Sequence, residues 1–153
     1  MAEGDLVREI RNRRATFDYE ILETFEAGLV LTGSEVKSLR EGGASLNEAF
    51  ARIHRGEVIL EGMNIPVYRQ ASYNNHEPLR SRKLLLNRRE INQLQVAVEQ
   101  RGLSLVPLKL YFRNGWAKLS LGIGRGRKRH DKRRREAERD AKRQIESALK
   151  DRQ

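Results

Sequence analysis

The chain has 153 residues, with 31 Lys plus Arg against 21 Asp plus Glu, three His and no Cys. That length supplies one hydrophobic core and argues against a second large catalytic domain. A net charge of +10 and a pI near 10.4 point to a polyanionic partner, nucleic acid or an anionic membrane face, and the missing cysteines exclude disulfides, iron–sulfur clusters and thiolate zinc sites.

Met1 to Arg8 carries Glu3 and Asp5 where a secretory signal needs bases and an apolar run, and nowhere in the chain is there a stretch of ~18 apolar residues. The protein is therefore expected in the cytoplasm, with no membrane partner. Phe17, Tyr19 and Ile21 then alternate with Asp18 and Glu20, the period of a strand. On such a strand the two carboxylates share a face about 7 Å apart, within reach of general acid and base work. Acids alternating with apolar residues are far more often the wet side of a strand, so no catalytic site is assigned and the chain is read as a non-enzyme.

Thr32-Gly33-Ser34-Glu35 fits a capping box that opens a helix through Val36 and Leu39, and Gly42-Gly43 ends it. Ala49, Ala51 and Ile53 lead into a turn at Arg55-Gly56, with Val58 and Leu60 returning at period two. Arg80-Ser81-Arg82-Lys83 is a compact basic run ahead of three leucines, either a solvated loop or a phosphate clamp. Asn87-Arg88-Arg89-Glu90 repeats the capping device before Ile91, Leu94 and Val98, and Gly102 stops that helix. His54, His76 and His130 lack the i, i+4 spacing of two imidazoles on one helix face, so neither a metal nor a cofactor is expected.

Asn114-Gly115 is the favoured type I′ turn pair between two alternating runs. A two-residue loop sets Phe112 against Ala117, Leu110 against Leu119 and Leu108 against Leu121 on a core face. The opposite face then carries Lys109, Tyr111 and Arg113 against Ser120, Lys118 and Trp116. Rings that stack on bases, interleaved with cations that hold phosphates, are what single-stranded or irregular RNA requires. An ordinary outer face with exposed ring edges is the plainer alternative. Gly122-Ile123-Gly124-Arg125-Gly126-Arg127-Lys128 lacks the spacing of a phosphate loop and reads as a hinge.

Residues 125–153 hold 13 Lys and Arg against 6 Asp and Glu, a net of +7, so most of the excess charge lies in a tail beyond a 1–124 body. A narrow stripe at Ala137, Ala141, Ile145, Ala148 and Leu149 gives this tail a weak helical pattern. It is expected to be disordered when free and helical when docked, although a merely solubilising terminus fits the composition too. Short strands with few helices make the body a β-rich α+β domain, a small closed or partly closed barrel of the oligonucleotide-binding type.

Five blocks are familiar in sequence and in order: Asp18 to Ile21, Phe25 to Arg40, Arg80 to Ile91, Leu105 to Phe112, and His130-Asp131-Lys132-Arg133. Together they closely resemble the SsrA-binding protein family (small protein B, SmpB), from residue 11 to residue 150. The resemblance implies an oligonucleotide-binding-like antiparallel β-barrel with flanking helices. It implies a monomeric, non-catalytic adaptor that binds transfer-messenger RNA (tmRNA) and delivers it to stalled ribosomes in trans-translation. The family's tail enters the empty mRNA channel near the decoding centre and becomes helical there. By position, Glu26, Leu85, Asn87 and Lys118 fall where the family contacts the tRNA-like domain of tmRNA. Lys37, Arg40, Arg80, Arg82, Lys83, Tyr111 and Trp116 complete the expected RNA-binding set. Gly126, Lys128, His130, Asp131, Lys132 and Arg133 form the expected ribosome-contacting tail, with the His130 ring placed to stack on a decoding-centre base. Thr16-Phe17 departs from the basic residue and His of many members, and the tail is richer in Arg than is common. Two other classes stay open on composition: a ribosomal or nucleoid protein binding any polyanion, and a hydrolase using Asp18 and Glu20.

Overall fold

A computed structural model describes residues 9–67, 75–127 and 129–151. Along the chain run β1 (Ile10–Arg11), α1 (Ala15–Asp18), β2 (Tyr19–Leu29), α2 (Gly33–Arg40), β3 (Phe50–His54) and β4 (Glu57–Glu61). There follow β5 (Arg82–Leu85), α3 (Arg88–Glu99), β6 (Ser104–Arg113), β7 (Trp116–Gly126) and α4 (Arg129–Asp151). The strands form one antiparallel sheet in the order β1-β6-β7-β2-β5-β4-β3. The β-rich α+β class holds. The sheet curls until β3 comes against β6, but no ladder joins them, so it does not close on itself.

Both capping boxes form. Thr32 and Asn87 each accept from the backbone N–H three residues on, and Glu35 and Glu90 reach back to the cap N–H, which satisfies donors that a helix start would otherwise leave unpaired. Positive φ at Gly42 and Gly102 lies just past the two helices, as those glycines predict. The inner face of the sheet, with Phe25, Ala27, Val58, Leu84, Leu119 and Leu121, packs against Leu39 of α2 and Leu94 of α3. On α3 the buried helical neighbour is Ala97, whereas Val98 is more than a third exposed, because the inward face runs Ile91, Leu94, Ala97 at intervals of three.

Two strand expectations need correction. Phe17 is not in a strand: Asn12 donates its N–H to Leu108 O and its side-chain amide to Pro107 O, which ends β1 and turns the chain into α1. Asp18 therefore closes a helical turn, paired to Arg14 at 3.5 Å, while Glu20 lies on β2 within 4.0 Å of Arg125. The two carboxylates do not share a strand face. The second correction is in the last hairpin, where Phe112↔Ala117 and Leu110↔Leu119 are as expected but Leu121 pairs with Pro107, not Leu108. A bulge after Pro107, which has no N–H to give a ladder, sends Leu108 to the other face. There it lies against Gly122, where a Cβ would stand 3.1 Å from its Cδ1.

β7 continues to Gly126, opposite Tyr19, and the Arg127 N–H bonds Asp18 O at 2.9 Å, so the folded body runs past the boundary expected at Gly124. α4 follows, with Ile145 62% exposed.

Candidate nucleic-acid interface

Register assembles the site. Leu85 of β5 pairs with Gly28 of β2, Gly28 with Lys118 of β7, and Lys118 with Tyr111 of β6, so these four form one row across the outer face. The next row runs Glu26, Ser120, Lys109, and on the other side Trp116 stands opposite Arg113. Gly28 lacks the Cβ that would press to 3.3 Å on Leu85, which lets that leucine lie across the strand while remaining 52% exposed. Lys83 shares this face and is paired with Glu57 at 3.2 Å. Trp116 is 72% exposed.

Above Ser120 the long side chains converge. The Tyr111 hydroxyl donates to the Glu26 carboxylate, and Arg113 Nη1 lies 3.1 Å from the same carboxylate. Lys109 Nζ sits 5.4 Å from the centre of the Tyr111 ring, a cation–π contact, and 3.8 Å from Glu9. Partial burial, the bond to Glu26 and its negative charge push the Tyr111 phenol up to about 12, against a smaller opposing effect of Arg113. Two residues past Leu85, Asn87 caps α3; its Oδ1 accepts from Glu90 N at 2.8 Å, and its Nδ2 has no hydrogen-bond partner among the described residues. The cap and a contact from Nδ2 are thus compatible.

The basic run before β5 does something else. Arg82 is fully buried, bonded through Nε to Glu35 at 2.6 Å and through its terminal nitrogens to Met63 O and Pro78 O. It has no face left for a phosphate, which corrects its place in the expected RNA-binding set. Arg80 also spends a nitrogen on Glu35, at 2.7 Å, with a third of its side chain exposed. Glu35, fully buried, is pushed up by desolvation, but bonds from Arg80, Thr32 N–H and Arg82 together with the Arg82 charge outweigh this and hold it down at about 2. Beside it, His76 donates from Nε2 to Ile65 O and accepts at Nδ1 from the Ser34 hydroxyl. Glu35 reads in sequence as a cap residue; nothing local signals that it also neutralises two arginines.

Lys37 and Arg40 lie on the exposed side of α2 and do not join the strand rows. Arg40 instead borders a polar groove of about 730 Å³ with Arg11 and Arg13. Of the expected tail set, Gly126 ends β7 and Arg133 is exposed on α4. Lys128 lies outside the described residues, as do the side chains of His130, Asp131 and Lys132, whose backbone is helical. Lys109 and Arg113, which the hairpin register puts on this face with Tyr111 and Lys118, join the site from outside the expected RNA-binding set.

Residues 9–151 match the family model described as SmpB protein. The chain belongs to the SmpB family. An SsrA-binding protein of Gloeobacter violaceus is 54% identical over 149 residues, 96% of this chain and 98% of that protein. One from Deinococcus radiodurans is 55% identical over 138 residues, 90% and 96% of the two chains. Among solved structures, SmpB in work described as "tmRNA-SmpB: a journey to the center of the bacterial ribosome" is similar with a TM-score of 0.66 and 52% identity, covering 79% of this chain and 85% of that one. No helix among the described residues of this SmpB family member is long and apolar enough to cross a membrane.

Proposed function

We propose that the chain is an RNA-binding adaptor that holds the tRNA-like domain of tmRNA on the outer face of β5, β2, β7 and β6 and carries it to stalled ribosomes for trans-translation. One observation carries the reading. Glu26, Leu85 and Lys118, far apart in sequence, share two neighbouring rows of one face, and Asn87 stands at its end. Lys118 supplies charge for phosphate, Trp116 and Tyr111 supply rings for bases, Leu85 packs on a sugar or base, and Asn87 offers a donor. The work is binding, not turnover; Asp18 and Glu20, each facing its own arginine on a different element, support that. Its place is the cytoplasm, where stalled ribosomes are.

The curled sheet serves as an oligonucleotide-binding-like barrel left open between β3 and β6. Residues up to 127 act as the RNA-binding body and residues 128–153 as the tail, disordered when free. The tail's ligand is the empty mRNA channel near the decoding centre, where the helix of α4 forms. Gly126 and Arg127 are the pivot, and Lys128 to Arg133 are the contacting residues.

The test is binding of a labelled tRNA-like domain to the full chain and to residues 1–127, with excess ordinary tRNA, across a salt series. Competitor-resistant binding by both, with a shallower salt slope for the shorter chain, is expected. Binding that vanishes with the tail, or that ordinary tRNA abolishes, marks a general polyanion binder instead.

A further inference from the structure

A carboxylate is out of place on a face built to meet phosphates. Lys109, Arg113 and Lys118 flank Glu26 on the outer strands, and phosphate repels an acid as strongly as it draws these cations. Yet Glu26 is held open to solvent. An ionised carboxylate offers roughly four lone-pair sites. Tyr111 takes one on Oε2 and Arg113 Nη1 donates to Oε1 at 3.3 Å while lying 3.1 Å from Oε2, leaving about two acceptor sites. Such a group accepts and cannot donate. Its partner must present two donors side by side with no acceptor between them.

Only one unmodified base does so on its Watson–Crick edge. Guanine shows N1–H beside the N2 amino group. Adenine and cytosine place a ring acceptor next to their amino group, and uracil flanks its single N–H with two carbonyls. The geometry points to a guanine-reading site: Glu26, oriented by Tyr111 and Arg113, takes the Watson–Crick edge of an unpaired guanine, and the exposed ring of Trp116 lies on the same face to stack on it or on its neighbour. Tyr111 and Arg113 are positioning residues here. Tyr111 has spent its hydroxyl on Glu26, so it meets RNA through its ring. This inference rests on the outer strands being the RNA face and names what that face selects.

Trp116 is the chain's one tryptophan, so its fluorescence reports this face alone. The full chain is titrated with single-stranded oligouridylates carrying one central guanosine, inosine, adenosine or cytidine. Inosine keeps N1–H and lacks only the amino group, and its oligomer has the same charge, so the basic tail binds both alike. The guanosine oligomer is expected to quench Trp116 and to bind about 10-fold more tightly than the inosine oligomer, the weight of one good base contact. Glu26→Gln is expected to bring that ratio close to one. Tyr111→Phe, which keeps the ring and frees the carboxylate, is expected to give a ratio between the two. Quenching by all four oligomers with equal affinity overturns guanine selection and leaves the RNA face standing. A Trp116 signal that no oligomer moves, and that the bound tRNA-like domain leaves unchanged, overturns the RNA face and this site with it.

Discussion

Glu35 and Glu26 are both clasped by arginine, and their burial gives them different work. Glu35 is sealed among Arg80, Arg82 and Thr32, so its charge is spent on folding. Held at about 2 against an ordinary 4.5, it binds fewer protons folded than unfolded. The stability it contributes is present above pH 4.5 and is lost as pH falls through about 2, on the order of 3 kcal/mol in all. Urea midpoints measured from pH 6 down to pH 2.5 should drop less for Glu35→Gln than for the natural chain. Tyr111 runs the other way: its phenol is raised to about 12, so what it contributes is complete below pH 10 and declines towards pH 12. Spectrophotometric titration of the four tyrosines should show one ionising last, and Glu26→Gln should return it towards the others. Only part of this was legible in sequence. The Thr32–Glu35 spacing announced a cap because capping is local. Arg82 looked like its exposed neighbours because the carboxylate that buries it lies 47 positions earlier in the chain.

At the scale of elements, turns and caps were readable and interruptions were not. Arg55-Gly56 and Asn114-Gly115 both adopt the positive φ of a type I′ turn, so the two tightest hairpins followed from their dipeptides. The register of β6 and β7 was right near that turn and failed beyond Pro107. Alternation of apolar residues carries no mark of a bulge, and Leu108 is as apolar on either face. α1 was missed for a similar reason: four residues are too few to show a helical period, and Phe17 happened to extend the alternation of β2. Gly62 was not singled out, yet a Cβ there would stand 2.6 Å from Glu48 O at a φ of +75°. Gly115→Ala meets open space and should cost about 1 kcal/mol for its positive φ alone. Gly62→Ala adds a backbone clash and should cost clearly more, about 2 to 4 kcal/mol, in a denaturant titration.

For the whole molecule, composition located the charge and the structure located the surface. The excess of +7 in residues 125–153 was plain in sequence. The convergence of Glu26, Leu85 and Lys118 needed strand order, which a resemblance suggests and composition cannot. α4 leaves both Ile145 and Leu149 exposed, so its apolar stripe buries little to hold the helix. Far-UV circular dichroism of residues 125–153 as a peptide should show little helix in buffer and a marked gain in trifluoroethanol; a fully formed helix in buffer would contradict a tail that orders on docking.

β7 is the last strand to be synthesised, yet it lies between β6 and β2 in the middle of the sheet. Until Gly126 has left the ribosome, β2 and β6 each lack the neighbour with which they make their longest ladders. A chain whose translation ends early, even by a few dozen residues, thus carries two open strand edges and a split core, prone to aggregation and proteolysis. The protein cannot be half made: a truncated message yields no working copy of the factor, only one more incomplete polypeptide to be cleared.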